Sequence, residues 1–120
     1  MSEVLRGITN KNLAAQGYQE LPGGLIIQWG SFTSTVTSGA GTTDTRMYQG
    51  TQSVTFPKPF PTAVIGIHAT PRDNANIILE YANISGRTLS TFSSILGGVQ
   101  NEGTVPGTTT LTVDWFAIGY

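Results

Sequence analysis

The feature that most limits what this chain can fold into is its punctuation: apolar runs are short, and clusters of Gly, Pro, Asn and Ser cut them about every eight to twelve residues. The breaks fall at Pro22–Gly24, in SGAGTTDT (Ser38–Thr45), at FPKPFP (Phe56–Pro61), at PRDNAN (Pro71–Asn76), at Ser85–Arg87 and through the polar stretch Gly97–Thr109. The apolar runs between them are too short for helices and suit strands. Leu25–Trp29, Gln52–Phe56, Thr62–Thr70, Ile77–Ile84 and Thr88–Ile95 are read as strands, while Ser31–Thr37 leads into the first long loop. At the end of the chain Leu111, Val113, Trp115 and Ala117 alternate with Thr112 and Asp114, the period-2 pattern of a strand with one buried face. The expectation is an all-β domain over residues 21–120: a compact antiparallel β-sandwich of about six or seven strands.

Composition agrees, because 15 residues are Gly and only 11% are charged, whereas helices draw on Ala, Leu, Glu, Lys and Arg. The prolines of FPKPFP have no backbone donor and cannot sit in a central strand, so this segment is read as a connection that Phe56 and Phe60 anchor to the core. Residues 1–20 read differently: Leu5, Ile8 and Leu13 are apolar points in a polar segment, expected as a lead-in, helical or extended, or as a linker from a longer chain.

Several functions are excluded on charge and residue type. Six Lys and Arg against seven Asp and Glu give a net charge of -1 with no basic run, so no nucleic-acid partner is expected. With no cysteine and one histidine there is no disulfide frame, thiolate metal site or multi-histidine zinc site. No run approaches the roughly 20 apolar residues of a membrane span, and MSEVLRGITNKN lacks the apolar centre of a signal peptide. Membrane insertion is not expected, and synthesis is expected in the cytoplasm without a signal peptide.

Three words, LPGGLIIQWG (Leu21–Gly30), VTFPKPFP (Val54–Pro61) and WFAIGY (Trp115–Tyr120), in this order, resemble the C-terminal receptor-binding domain of bacteriophage and prophage tail-fibre proteins. NLAAQGYQE (Asn12–Glu20) looks like the lead-in of those fibres, and the resemblance covers about residues 12–120. A weaker similarity, carried by Phe56, Trp115, Ala117, Gly119 and strand order, is to the H-type lectins. The resemblance implies an H-type-lectin-like sandwich, a homotrimer at a fibre tip in the virion, and a bacterial surface polysaccharide or lipopolysaccharide as partner. It also implies a tail-fibre shaft or baseplate at the other side. The chain departs from that pattern in starting at Met1, with no shaft before Asn12, as in a truncated fibre or a separately made tip.

Sugar recognition needs flat aromatic faces and fixed hydrogen-bonding groups. The glycan-binding candidates are Asp44, Arg46 and Tyr48 around the first long loop, Arg72, Asp73 and Asn74 in the Pro71–Asn76 turn, and Tyr81. The competing reading is that Arg and Asp pair with each other in a solvated turn and that the tyrosines pack on a sheet or a neighbouring subunit. Trp29 and Trp115 stand in apolar strands and are read as core or subunit-interface residues. His68 is read as facing away from Ile65 and Ile67, as a structural or exposed histidine rather than a ligand donor.

No catalytic residue, metal or cofactor is expected. Asp44, Asp73, Glu80, Glu102 and Asp114 are carboxylates without a pairing that sequence can establish, Gly-x-Ser-x-Gly is absent, and His68 has no triad context. A compact domain of this length also has little room for a polymer-cleaving groove.

Overall fold

A computed structural model describes residues 11–39, 46–75, 77, 79–100 and 107–120. Among the described residues there is no helix, and eight strands form: β1 (Lys11–Asn12), β2 (Gly17–Glu20), β3 (Ile26–Ser38), β4 (Met47–Thr55), β5 (Val64–Pro71), β6 (Leu79–Arg87), β7 (Thr91–Val99) and β8 (Thr108–Gly119). All pairings are antiparallel. The fold is the expected all-β sandwich, formed by one sheet that curls onto itself. One layer runs β1–β2–β3–β8–β5 and the other β4–β7–β6; the layers join where Thr37 and Ser38 of β3 pair with Gln49 and Tyr48 of β4.

The described part of the lead-in is extended, not helical. Residues 11–20 make the β1–β2 hairpin, which pairs with the start of β3 through Gly17↔Trp29 and Glu20↔Ile26. The chain then reverses at PGG, where Gly23 and Gly24 both have positive φ (98° and 95°), a conformation that costs only glycine nothing. The Leu21 amide bonds the Leu25 carbonyl across that turn at 2.7 Å.

β3 and β8 pair along their whole length, from Ile26↔Gly119 to Thr37↔Thr108. Strands of 13 and 12 residues are about 40 Å long at 3.3 Å per residue. The outline is accordingly long rather than compact, 62 × 24 × 15 Å, with a radius of gyration of 17.3 Å against about 13–14 Å for a compact chain of this size.

The core between the layers divides along this length. Ile26, Phe56, Phe60, Phe92, Trp115 and Ala117 fill one half; Val36, Tyr48, Ile77, Leu96, Leu111 and Val113 fill the other, and Phe32 and Ala69 touch both. The first half is aromatic: Phe56 meets Phe60 edge-on with centroids 5.0 Å apart and Phe92 meets Trp115 at 5.3 Å. Each such ring contributes roughly 1.5–3 kcal/mol by leaving water.

FPKPFP crosses from β4 to β5 and closes this aromatic half, as its prolines require. Its non-proline amides are all used: Phe56 donates to the Ser90 carbonyl, Phe60 to the Leu89 carbonyl, and Lys58 to Oε1 of Gln28. The Gln28 side chain is fully buried, and its Nε2 donates to the Lys58 carbonyl in return.

A β-bulge corrects one expectation. The register of β5 against β8 slips between Val64 and Gly66, so Val64 and Ile67 pack on the core while Ile65 is 55% exposed. Ile65 and Ile67 therefore do not share a buried face, and strict alternation fails at this one extra residue.

Candidate functional site

The antiparallel ladders give the molecule two distinct ends. β1 runs from Lys11, opposite Gln19, to Asn12, opposite Tyr18, and so leads away from the end marked by Ile26 and Gly119. The described chain enters at that end. At the opposite end, β3 finishes at Ser38 and β4 begins at Met47, and β7 finishes at Val99 and β8 begins at Thr108; β5 finishes at Pro71, opposite Val113 midway along β8, and its connection runs on to that end, where β6 begins at Leu79. Two of the three polar stretches picked out in the sequence thus leave from one end, opposite the chain's entry, although Gly97–Val99 and Thr108–Thr109 of the last one are strand; the stretch after Pro71 starts at mid-sandwich and reaches that end at Leu79.

The described parts of these connections are tied to each other. Ser38 donates to the Gly107 carbonyl at 2.9 Å and Gln100 to the Arg46 carbonyl at 2.8 Å. Asn74 clamps the β5–β6 connection: its amide donates to Oε1 of Glu80 at 2.9 Å, its Nδ2 donates to the Thr110 carbonyl at 2.6 Å, and its carbonyl accepts from Ile77. Ile77 is 5% exposed and anchors the connection in the core.

The candidate residues fall into different places. Asp44 lies outside the described residues. Arg46 is exposed at the loop-bearing end; Arg72, whose amide donates to the Thr112 carbonyl, and Asp73 are exposed nearer the middle of the sandwich, and Asn74 after them is half-buried. Tyr48 is corrected: at 2% exposure it is a core residue among Val36, Ile77, Leu96 and Leu111 and offers no face to a ligand. Arg72 pairs with Asp114 of β8 and not with its neighbour Asp73, in a two-bond geometry of 2.8 and 3.0 Å. The hydrogen bonds with Arg72 hold the Asp114 carboxyl below its usual range and raise the guanidinium of Arg72 in turn.

Tyr81 points outward on the β4–β7–β6 layer. Its hydroxyl donates to Oε1 of Gln49 at 3.3 Å, reaching from β6 across Gly97 of β7 to β4. A Cβ at position 97 would stand 2.9 Å from that hydroxyl, so the absence of a side chain there lets the ring lie across the sheet. Partial burial raises the pKa of the phenol.

The outer face of the other layer is apolar near the entry end. Phe116 is 50% exposed and stacks on His68, with centroids 4.9 Å apart and planes 18° off parallel. Trp29 stands opposite Phe116, and its Nε1 donates to the Ala14 carbonyl of the lead-in. The two tryptophans divide accordingly: Trp115 is core and Trp29 is on the outer face. Toward the loop-bearing end this face turns to threonine, with Thr33 and Thr112 hydroxyls 3.0 Å apart.

Residues 20–120 match the family described as tail fiber protein gp53-like, C-terminal. The chain belongs to this family. Three solved tail fibers resemble this tail-fibre domain. An N-truncated R2-type pyocin tail fiber shares 25% identity, with a TM-score of 0.61 over 92% of this chain and 37% of that one. The Pseudomonas aeruginosa R1 pyocin fiber shares 17% identity, with a TM-score of 0.66 over 92% of this chain and 28% of that one. An N-truncated R1-type pyocin tail fiber gives the same identity and TM-score and is itself covered to 84%. At 17% identity the likeness shows the fold alone. The tail-fibre domain spans little more than a third of the R2-type fiber it matches. No curated protein matches the chain.

A groove of about 480 Å³ lies at the entry end of the tail-fibre domain, between Gly23–Gly24, Pro61–Thr62 and Tyr120. It lies at the end of the sandwich opposite Ser38, Met47, Val99 and Thr108. Two features escaped the sequence reading. The outward Phe116 and Ile118 were signalled by apolar residues on both phases of WFAIGY, whereas the partnership of Gln49 and Gly97 with Tyr81 depends on strand register and left no signal.

Proposed function

We propose that this domain is the receptor-binding tip of a bacteriophage or prophage tail fibre, a non-catalytic adhesin that recognises a host-surface glycan of lipopolysaccharide or capsule. The observation that carries the reading is that two of the polar connections lie at the end opposite the chain's entry and the third runs to it from mid-sandwich. A fibre shaft or baseplate joined through the lead-in, residues 1–20, leaves that end facing outward. Lectin-like carbohydrate binding then falls to Arg46, Arg72, Asp73, Asn74 and Tyr81, and to Asp44 in the first loop.

The working unit is a homotrimer carried on the virion. Two observations support association: the exposed apolar side chains of Phe116 and Ile65 beside half-buried Trp29, and the edges left by β5 and β6. Three copies also turn weak sugar affinity into avidity. The non-catalytic assignment is supported by the engagement of three of the four acidic side chains among the described residues: Asp114 is held by Arg72, Glu20 lies 3.3 Å from Lys58, and Glu80 accepts from Asn74.

The test is binding of fluorescently labelled protein to intact candidate hosts, with unlabelled phage as competitor and surface-polysaccharide mutants as controls. Saturable binding that those mutants lose is the expected result. The same apolar field favours a second reading, a structural cap that registers three fibre strands. A stable trimer that binds no host and does not compete with phage would select it.

A further inference from the structure

We propose that the outward face of β4–β7–β6 around Tyr81 is a saccharide-stacking site for an uncharged pyranose of the host glycan; this rests on the adhesin reading above and names where the sugar sits. The ring is held across the sheet by the hydroxyl's bond to Gln49 over the bare backbone of Gly97. One ring face is thereby turned to the sheet and the other outward. A pyranose presents a flat face of axial C–H bonds, which packs on such a ring, while its equatorial hydroxyls radiate sideways toward hydrogen-bonding groups.

Those groups stand in register around the ring. Gln49 lies in its own row, and Thr51, Ile95 and Asn83 form the next row toward the entry end. Asn83 and Thr51 are exposed. On the loop side, exposed Leu79 closes the platform with an apolar edge.

The charge of the surface selects the ligand class. The outward positions of β4 and β7, from Met47 to Ser53 and from Ser93 to Val99, and those of β6 from Leu79 to Asn83, carry no charged side chain. A neutral hexose or N-acetylated sugar matches this surface, and an anionic polymer does not. The site adjoins the loop-bearing end, because the Leu79–Val99–Met47 row that precedes it opens the strands there. The sugar bound here continues the contacts of those loops.

The probe is polysaccharide released by mild acid from the lipopolysaccharide of a strain that the labelled full chain binds, with affinity measured by calorimetry. Tyr81→Ala should weaken binding about tenfold, and Tyr81→Phe, which keeps the aromatic face but loses the Gln49 bond that orients it, by about threefold. Unchanged thermal unfolding of Tyr81→Ala would show that the loss is local, and the binding of the wild-type chain should change little between low and high salt. Unaltered affinity in Tyr81→Ala, with cell binding intact, would overturn this site and leave the adhesin reading standing. Affinity that collapses with added salt would overturn the uncharged ligand class. A wild-type chain that binds no strain would overturn both the adhesin reading and this inference.

Discussion

Two side-chain amides in this molecule act as pieces of backbone. Gln28 exchanges two hydrogen bonds with the amide and carbonyl of Lys58, and Gln16 does the same with Ser31, each completing a ladder where no strand is available. The Gln28 pair is buried, so its value lies in what its loss would strand. Gln28→Leu keeps the volume but leaves a buried donor and acceptor of Lys58 unpaired, and should lower the unfolding free energy by about 2–4 kcal/mol. Urea denaturation measures this; a change below about 0.5 kcal/mol would mean that water reaches the site. Tyr81 gives a prediction on the alkaline side. Its folded pKa is raised by burial, so the fold favours the neutral phenol. The corresponding stability is fully present below the ordinary tyrosine pKa and is lost as pH rises through the raised value. Thermal unfolding as a function of alkaline pH should therefore fall less steeply in Tyr81→Phe than in the wild type.

At the scale of strands, what could be read beforehand was what depends on local chemistry. The turn at Pro22–Gly24, the break after Pro71 and the closing strand of Leu111–Ala117 follow from Gly and Pro geometry and from period-2 burial; the expected Pro71–Asn76 turn begins one residue later, because Pro71 still pairs in β5, and Asn76 lies outside the described residues. The hairpin of the lead-in, the run of β3 through Thr33–Ser38 and the bulge beside Ile65 depend on partners far away in sequence. Thr37 pairs with Thr108 and Gly17 with Trp29, and nothing in TSTVTS identifies its partner. The candidate site divides in the same way: exposed Arg72 and Asp73 follow from their turn, but Tyr48 lies on the inward phase of β4, and only the register shows it. The Arg72–Asp114 pair joins the end of β5 to β8 and makes a prediction at this scale. The folded pKa of Asp114 is depressed, so the pair's contribution is present above the ordinary carboxylate value and is lost as pH falls through the lowered one. Both side chains are more than half exposed, 59% and 54%, so the effect is small and screened by salt. Asp114→Asn should flatten the acid limb of the stability profile at low ionic strength and leave it unchanged at high salt, as followed by circular dichroism.

For the whole molecule, the two outer faces differ enough to be given different work. The β4–β7–β6 face is uncharged and polar around Tyr81, whereas the face built on β3, β8 and β5 exposes Phe116 and Ile65 beside Trp29 and Ile118. Apolar surface gathered on one sheet face is unfavourable in water, and covering it with copies of itself also shields the β5 edge. In the proposed homotrimer this face lies between subunits, and the Tyr81 face and loop-bearing end stay outside. Stability should then rise with protein concentration, because association favours the folded state by mass action. Phe116→Asp tests the arrangement: the half-exposed side chain leaves the core intact, but a carboxylate brought into an apolar interface without a partner costs several kcal/mol. Sedimentation should show a trimer in the wild type and a folded monomer in the variant, with binding to host cells reduced far more than binding to free polysaccharide as avidity is lost. A variant that remains trimeric would move the interface to another face, and a wild type that is monomeric at every concentration would remove the trimer from the proposal.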